Sequence, residues 1–143
     1  MTADVAETKS FARHLPTVAR VLLGLVFFVF GLNGFLNFIP PPPKEAMPAG
    51  LAAFSEAMMK TGYLFQLLKG TEVFVGLLLL LNRFVPLALA LIAPVIVNIV
   101  AVHAFLAPSG LGMAVVIAGL EAYLAWAYRG AFRAMLAARA APG

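Results

Sequence analysis

Two carboxylic acids lie inside long apolar segments of the sequence. Glu72 follows Lys69 by three residues in the segment YLFQLLKGTEVFVGLLLLLN, and Glu121 stands near the middle of LGMAVVIAGLEAYLAWAY. A carboxyl group that exchanges a proton with a ligand acts as a general acid or base. Glu72 and Glu121 are therefore the candidate catalytic residues, with proton exchange as their chemistry.

Each of these acids also has a purely structural interpretation. Residues at i and i+3 face the same side of a helix, so Lys69 can neutralise Glu72. Glu121 has no basic residue within its own segment. It is either a neutral acid bonded to a carbonyl or a partner of His103 or Lys69 from another helix.

Four further polar side chains are candidate ligand contacts: Asn33, Lys69, Asn98 and His103. The imidazole of His103 can carry a proton or hydrogen-bond a ligand carbonyl. Asn98 follows Pro94 by one turn, and a proline inside a helix removes a main-chain donor and can bend the helix. We expect this bend to turn Asn98 inward, although buried amides also commonly join membrane helices.

The residue types in the chain limit which cofactors it can hold. The chain has no cysteine, which excludes thiol chemistry, thiolate metal sites and covalent c-type haem. His103 is the one histidine in a long apolar segment, so two histidines of one chain cannot ligate a haem within the membrane. No metal site is predicted, and the cofactor stays open, with a quinone as a candidate.

The elements that position these residues must lie in lipid. The chain has 143 residues, of which 63% are hydrophobic and only 11% charged, against about a quarter charged in soluble domains. A helix crosses the hydrocarbon core in about 20 residues. Four apolar segments of about that length are predicted as spans, namely 16–39, 63–82, 85–107 and 111–128.

These spans predict an all-α integral membrane four-helix bundle over residues 16–129. Residues 1–15 are expected to form a cytoplasmic tail, with Pro16 opening the first helix, and residues 130–143 a second, basic tail. Four prolines end the first span, and the apolar spacing in residues 48–60 predicts a short amphipathic helix in the first outer loop. Three glycines on one face of the first span allow a neighbouring helix to approach closely: Gly24, Gly31 and Gly34.

Basic residues predict the orientation of the bundle. Seven of the ten lysines and arginines fall on one side of the spans: Lys9, Arg13, Arg20, Arg83, Arg129, Arg133 and Arg139. The positive-inside rule then places both termini in the cytoplasm, with the helices up-down-up-down. The basic residues are spread singly, which disfavours nucleic acid as a partner and leaves the lipid bilayer as the expected one.

Counting residues from the helix ends places the polar side chains of all four spans in the outer half of the membrane. An ionised side chain at the bilayer centre costs about 2.5–3.5 kcal/mol on insertion scales, so these groups should face the bundle interior. We expect one outer-leaflet pocket with Asn98 and His103 on its central wall, closed by Glu72, Glu121 and Asn33.

Several stretches resemble the DoxX-like family of bacterial four-helix membrane proteins. They are RVLLGLVFFVFGLNGFLNFIP in the first span, TGY and KGTE around the second, and APVIVNIVAVHAFLAP in the third. The resemblance implies a bacterial inner-membrane protein. It links different members to quinone-dependent sulfur oxidation, membrane oxidoreductase complexes, or assembly and cargo handling.

Three functions remain open. The first is a membrane subunit of an oxidoreductase system that binds a quinone-like or other small amphipathic ligand. The second is a non-enzymatic assembly or chaperone-like protein whose outer amphipathic helix binds a partner. The third is a small proton-coupled transporter, which would have to dimerise to build a pathway. A membrane or periplasmic redox partner and homo-oligomerisation are open partner predictions.

Overall fold

The computed structural model describes the backbone of residues 2–143 and the side chains from Phe11 onward. Within this range the chain is all-α and has no strand. The helices are α1 (Thr2–Leu36), α2 (Ala49–Lys60), α3 (Leu64–Leu80), α4 (Val85–Phe105), α5 (Leu111–Ala127) and the short α6 (Arg129–Phe132). Two 3-10 turns, Lys44–Ala46 and Pro108–Gly110, lie in the connections.

Helix α1 is longer than predicted at its start and shorter at its end. The helix begins at Thr2, so residues 2–15 are helical and continuous with the first predicted span, and Pro16 lies inside the helix rather than at its first position. Good helix formers such as Ala12, Arg13 and Leu15 lie just before Pro16, which removes a single main-chain bond, to Ala12 in an exposed part of the helix. The helix ends at Leu36 because Asn37 adopts a left-handed conformation with φ 51°.

The helices form a four-membered arrangement in which α1 and α4 both pack against α3 and α5. Helices α1 and α3 are antiparallel: Gly24 lies beside Leu79 and Leu80, whereas Gly31, further along α1, lies beside Val73. The centre consists of apolar side chains from all four helices that are almost completely buried, including Leu23, Leu79, Leu89, Ile92 and Leu124.

Three helical segments are long and apolar enough to cross a membrane: Phe11–Leu36, Val85–Phe105 and Pro108–Ala127. Helices α2 and α3 together provide a fourth candidate, bent by 95° at the break between them. Gly62 lies in this break with φ 78°, a left-handed conformation that glycine adopts without strain. The structure thus contains three membrane-spanning candidates, or four if the bent pair is one span.

Helix α2 confirms the short helix predicted over residues 48–60. None of its residues is fully buried, while Leu51 and Met58 are half-buried. On its exposed side the Lys60 ammonium lies 2.7 Å from the Glu56 carboxylate. The helix therefore lies on the outside of the bundle, as an amphipathic element would.

Candidate functional site

The predicted ion pair of α3 is present and buried. The Lys69 ammonium donates a hydrogen bond of 2.8 Å to the Glu72 carboxylate. The Glu72 side chain is 6% exposed and that of Lys69 is 20% exposed. Helical i, i+3 spacing brings the two groups together without help from another helix.

Glycines of α1 cover this ion pair. A Cβ atom at Gly31 would lie 2.8 Å from the main-chain nitrogen of Val73 and 3.0 Å from Cβ of Glu72. A Cβ at Gly34 would clash with the aliphatic stem of Lys69. The absence of side chains on this face of α1 therefore allows α3 to approach with a charged pair at the interface.

Glu121 lies in a different helix interface, next to an open cavity. The residue is 9% exposed, and its Oε2 atom has no hydrogen-bond partner among the described residues. The cavity measures about 280 Å³ and is bounded by α4, α5 and the segment after α5. Its lining consists of Leu89, Ala90, Ala93, Glu121, Ala125, Arg129, Phe132, Met135 and Leu136.

The cavity is apolar apart from a few groups that can interact with a ligand. Glu121 supplies a carboxyl group, and Arg129 supplies a cation whose guanidinium carbon lies 4.6 Å from the centre of the Trp126 ring. Pro94 leaves the carbonyl of Ala90, which also lines the cavity, without its helical donor. An apolar cleft with a few polar groups is typical of sites for small amphipathic molecules.

Asn33 and His103 make local hydrogen bonds near helix ends. The Asn33 side-chain oxygen accepts a 2.6 Å hydrogen bond from the main-chain nitrogen of Ile39, just after α1. His103 Nδ1 lies 3.2 Å from the carbonyl oxygen of Ala107, and this contact requires the tautomer with a proton on Nδ1. Both side chains thus hold the chain where it leaves a helix, and the ring of His103 packs against Gly110.

Asn98 does not face the bundle interior. Its side chain is exposed, as is Pro94 one turn earlier, whereas the neighbouring Ile92 and Ile96 are buried. We expected a bend at Pro94 to turn Asn98 toward the bundle interior, but Asn98 lies on an exposed face of α4. The buried isoleucines fix the rotation of α4 and so place Asn98 on the outside of the bundle.

The six candidate residues therefore do not share one pocket. Lys69 and Glu72 lie between α3 and α1, whereas Glu121 lines a cavity that includes none of the other five. The predicted contact of Glu121 with Lys69 or His103 is not formed either, since those side chains bond to Glu72 and Ala107. No group of three metal-binding side chains occurs in the part of the chain that the structure describes.

Sequence reasoning counted Arg20 only as a topological charge and missed its contacts. Arg20 is buried, and its guanidinium donates hydrogen bonds to the carbonyls of Leu79 and Leu80 at the end of α3. The last carbonyls of a helix lack helical donors and carry a partial negative charge. The sequence does indicate that Arg20 faces α3, because Arg20 lies four residues before Gly24 and therefore on the glycine face of α1.

Apolar helices of spanning length, with charged side chains buried between them, define a multi-pass transmembrane protein. The chain belongs to the DoxX family, whose family model matches residues 15–104. This match confirms the resemblance and includes the Lys69–Glu72 pair, while Glu121 lies beyond it. No curated protein and no solved structure matches the chain.

Proposed function

We propose that the chain is a four-span protein of the bacterial inner membrane, with both termini in the cytoplasm and helices running up-down-up-down. The antiparallel contact of α1 with α3 and the short connections between the later helices support this arrangement. The distribution of lysine and arginine supports the orientation. In this orientation the Glu121 cavity faces the cytoplasmic side, where the C-terminal segment lies.

We further propose that this protein is a membrane subunit of an oxidoreductase system and binds a quinone-like ligand in the Glu121 cavity. One observation carries this proposal: beside an apolar cavity, a carboxyl oxygen is buried without a hydrogen-bond partner in the part of the chain that the structure describes. A buried polar group without a hydrogen-bond partner is destabilising, so its presence favours a bound molecule that supplies the missing hydrogen bond. The ligand site thus lies at Glu121 rather than in the outer-leaflet pocket expected from the sequence.

The cavity volume suits the ring of such a ligand. About 280 Å³ is close to the lower end of small-molecule sites, which are about 300–1,000 Å³. A single-ring head group would occupy the space beside Glu121, and an isoprenoid-like tail would extend into the surrounding lipid. Leu89, Phe132 and Leu136 provide apolar contacts for the ring.

Glu121 would exchange protons with the head group. Reduction of a quinone takes up two electrons and two protons, and a carboxyl group can transfer those protons one at a time. The electrons would come from a partner redox protein, since the chain has no cysteine that could supply them as thiols. Glu72 is the second candidate for proton exchange, but Lys69 already satisfies its carboxylate.

Quenching of the single tryptophan tests this proposal. Trp126 is the one tryptophan of the chain, and it contacts Arg129, which lines the cavity. A short-chain ubiquinone analogue added to purified protein should quench its fluorescence with saturation. Glu121→Gln should raise the apparent Kd about tenfold or more, because hydrogen bonds to charged groups contribute about 1.5–3 kcal/mol.

Glu72→Gln is the matched control, since it makes the same change in a carboxyl group outside the cavity. Its apparent Kd should stay within about twofold of the unmodified chain, a difference of less than about 0.5 kcal/mol. Quenching that does not saturate, or that responds equally to both substitutions, would contradict the ligand proposal. Mass spectrometry of the gently solubilised protein provides a second test through the presence of bound quinone.

A second candidate function, partner capture by α2, is favoured by the surface of that helix. Met59 is 61% exposed and no residue of α2 is fully buried, so this helix keeps apolar side chains available. Under this proposal the protein assists membrane assembly, and α2 binds another protein. Deletion of residues 49–60 should remove a copurifying partner while leaving quinone quenching intact, which separates the two functions.

A further inference from the structure

Asn98 presents a polar group on a surface that faces lipid. Its side chain lies on the exposed face of α4, a helix that is long and apolar enough to cross a membrane. Asn98 precedes Phe105, the end of the helix, by seven residues, which places it about 10 Å inside the span at 1.5 Å per residue. An asparagine side chain is too short to reach the head groups from this depth.

The Asn98 amide is exposed and takes part in none of the side-chain hydrogen bonds formed among the described residues. A carboxamide has two donors and an acceptor to satisfy. Hydrocarbon offers no replacement for these hydrogen bonds, so an amide at this position gains free energy when a neighbouring helix supplies them. The exposed position of Asn98 therefore points to a partner on this face of α4.

The spacing of residues on this face suits a second helix. Successive residues on this face are separated alternately by four and three positions, which is the spacing of the contact residues in a left-handed coiled coil. We call this line the α4 seam, and it consists of Leu87, Leu91, Pro94, Asn98, Ala101 and Phe105. All of these residues are exposed except Ala101, which is half-buried, so the bundle leaves the seam uncovered.

The hydrogen-bonding groups of Asn98 favour a second copy of this chain as the partner at the α4 seam. A carboxamide is complementary to itself, because its NH2 group can donate to the oxygen of an identical group while its oxygen accepts in return. A two-fold axis along the membrane normal would bring equal residues of two parallel α4 helices together at the seam. A single polar residue in an otherwise apolar seam also fixes the register and number of helices.

We propose that two copies of this chain form a homodimer in the membrane through the α4 seam, with the two Asn98 side chains hydrogen-bonded to each other. The dimer leaves α1, which packs against α3 and α5, on the far side of each copy. It does not depend on the ligand proposed above, because the seam contains neither Glu121 nor the other residues that line its cavity.

Disulfide cross-linking in native membranes tests the dimer, and the cysteine-free chain gives a clean background. Leu91→Cys and Ala101→Cys place single thiols on the seam. Leu25→Cys is the matched control, since Leu25 is also exposed but lies on α1. Oxidation should give a covalent dimer with each seam variant, at a level at least about fivefold above that of Leu25→Cys.

Substitution of Asn98 then tests the role of the amide. In the Ala101→Cys chain, Asn98→Leu should weaken dimerisation about three- to tenfold, as expected for interhelical hydrogen bonds in membranes. Asn98→Gln, which keeps the amide, should retain most of it. Fluorescence energy transfer in liposomes gives the dimerisation constant, and circular dichroism confirms that each variant remains helical.

Three results would overturn this proposal. Equal cross-linking at the seam and at Leu25, or seam thiols that form adducts only with a different protein, would contradict the dimer itself. A dimer unaffected by Asn98→Leu would contradict the Asn98 contact, and with it the proposal as stated, because the copies would then associate without the amide.

Discussion

The Lys69 ammonium lies 2.8 Å from the Glu72 carboxylate, at the interface where α3 meets the glycine face of α1. Glu72 is thus a buried carboxylate that has a partner, whereas one oxygen of the buried Glu121 has no hydrogen-bond partner among the described residues. This difference is the reason why we propose a structural role for Glu72 and a ligand contact for Glu121.

Breaking the Lys69–Glu72 pair should destabilise the protein. Removing one partner leaves a buried charge uncompensated, which costs about 3–5 kcal/mol at fully buried sites. Lys69 is 20% exposed, so we expect Glu72→Met to lower the free energy of unfolding by about 2 kcal/mol. Thermal unfolding of the purified protein in detergent measures the effect.

A double substitution provides the control for this ion pair. Lys69→Met with Glu72→Met removes both charges, and we expect it to destabilise less than Glu72→Met alone. Additive losses in the double-substituted protein would argue against a coupled pair.

Replacing Glu121 should not destabilise the ligand-free protein, in contrast to replacing Glu72. Glu121→Leu removes a buried oxygen for which the described residues 11–143 offer no hydrogen-bond partner, and it places an apolar side chain next to a cavity. We expect the unfolding temperature of the ligand-free protein to stay the same or rise, while quinone quenching of Trp126 is lost. A large fall in stability would indicate that Glu121 has a structural partner in the membrane.

The close approach of α1 to α3 should be sensitive to a single methyl group. In Gly31→Ala the new Cβ would lie 2.8 Å from the Val73 nitrogen, so the helices must separate. We expect a loss of about 1–3 kcal/mol in the free energy of unfolding. Gly119→Ala is the control, because nothing lies within 4 Å of that position, and it should be neutral or slightly stabilising.

Arg20 should contribute to stability through the end of α3. Arg20→Met removes the guanidinium that bonds to the carbonyls of Leu79 and Leu80, and hydrogen bonds of charged groups contribute about 1.5–3 kcal/mol. We therefore expect a fall of about 2 kcal/mol in the free energy of unfolding, measured by chemical denaturation. Arg13→Met, which changes an exposed arginine of the same helix, should have little effect. Equal effects of the two substitutions would assign the loss to net charge rather than to the contact.

Local features of this protein follow from its sequence. The predicted segments 63–82, 85–107 and 111–128 agree with α3, α4 and α5 to within two residues at each end. Helix α2 and the Lys69–Glu72 contact were also predictable, because the i, i+3 geometry is a property of a single helix. The DoxX resemblance, likewise based on sequence alone, is confirmed by the family match.

The tertiary structure decided which face of each helix lies inside. In a soluble protein the apolar face of a helix marks its buried side, but α4 and α5 are apolar all round and contact either lipid or protein. Apolar periodicity therefore could not show that Asn98 faces outward or that Glu121 lies against the first half of α4. Those rotations depend on how side chains of different helices fit together, as Ile92 and Ile96 show in α4. The sequence alone determined that a carboxyl group lies at position 121, and only the packing of the helices left one of its oxygens without a hydrogen-bond partner among the described residues.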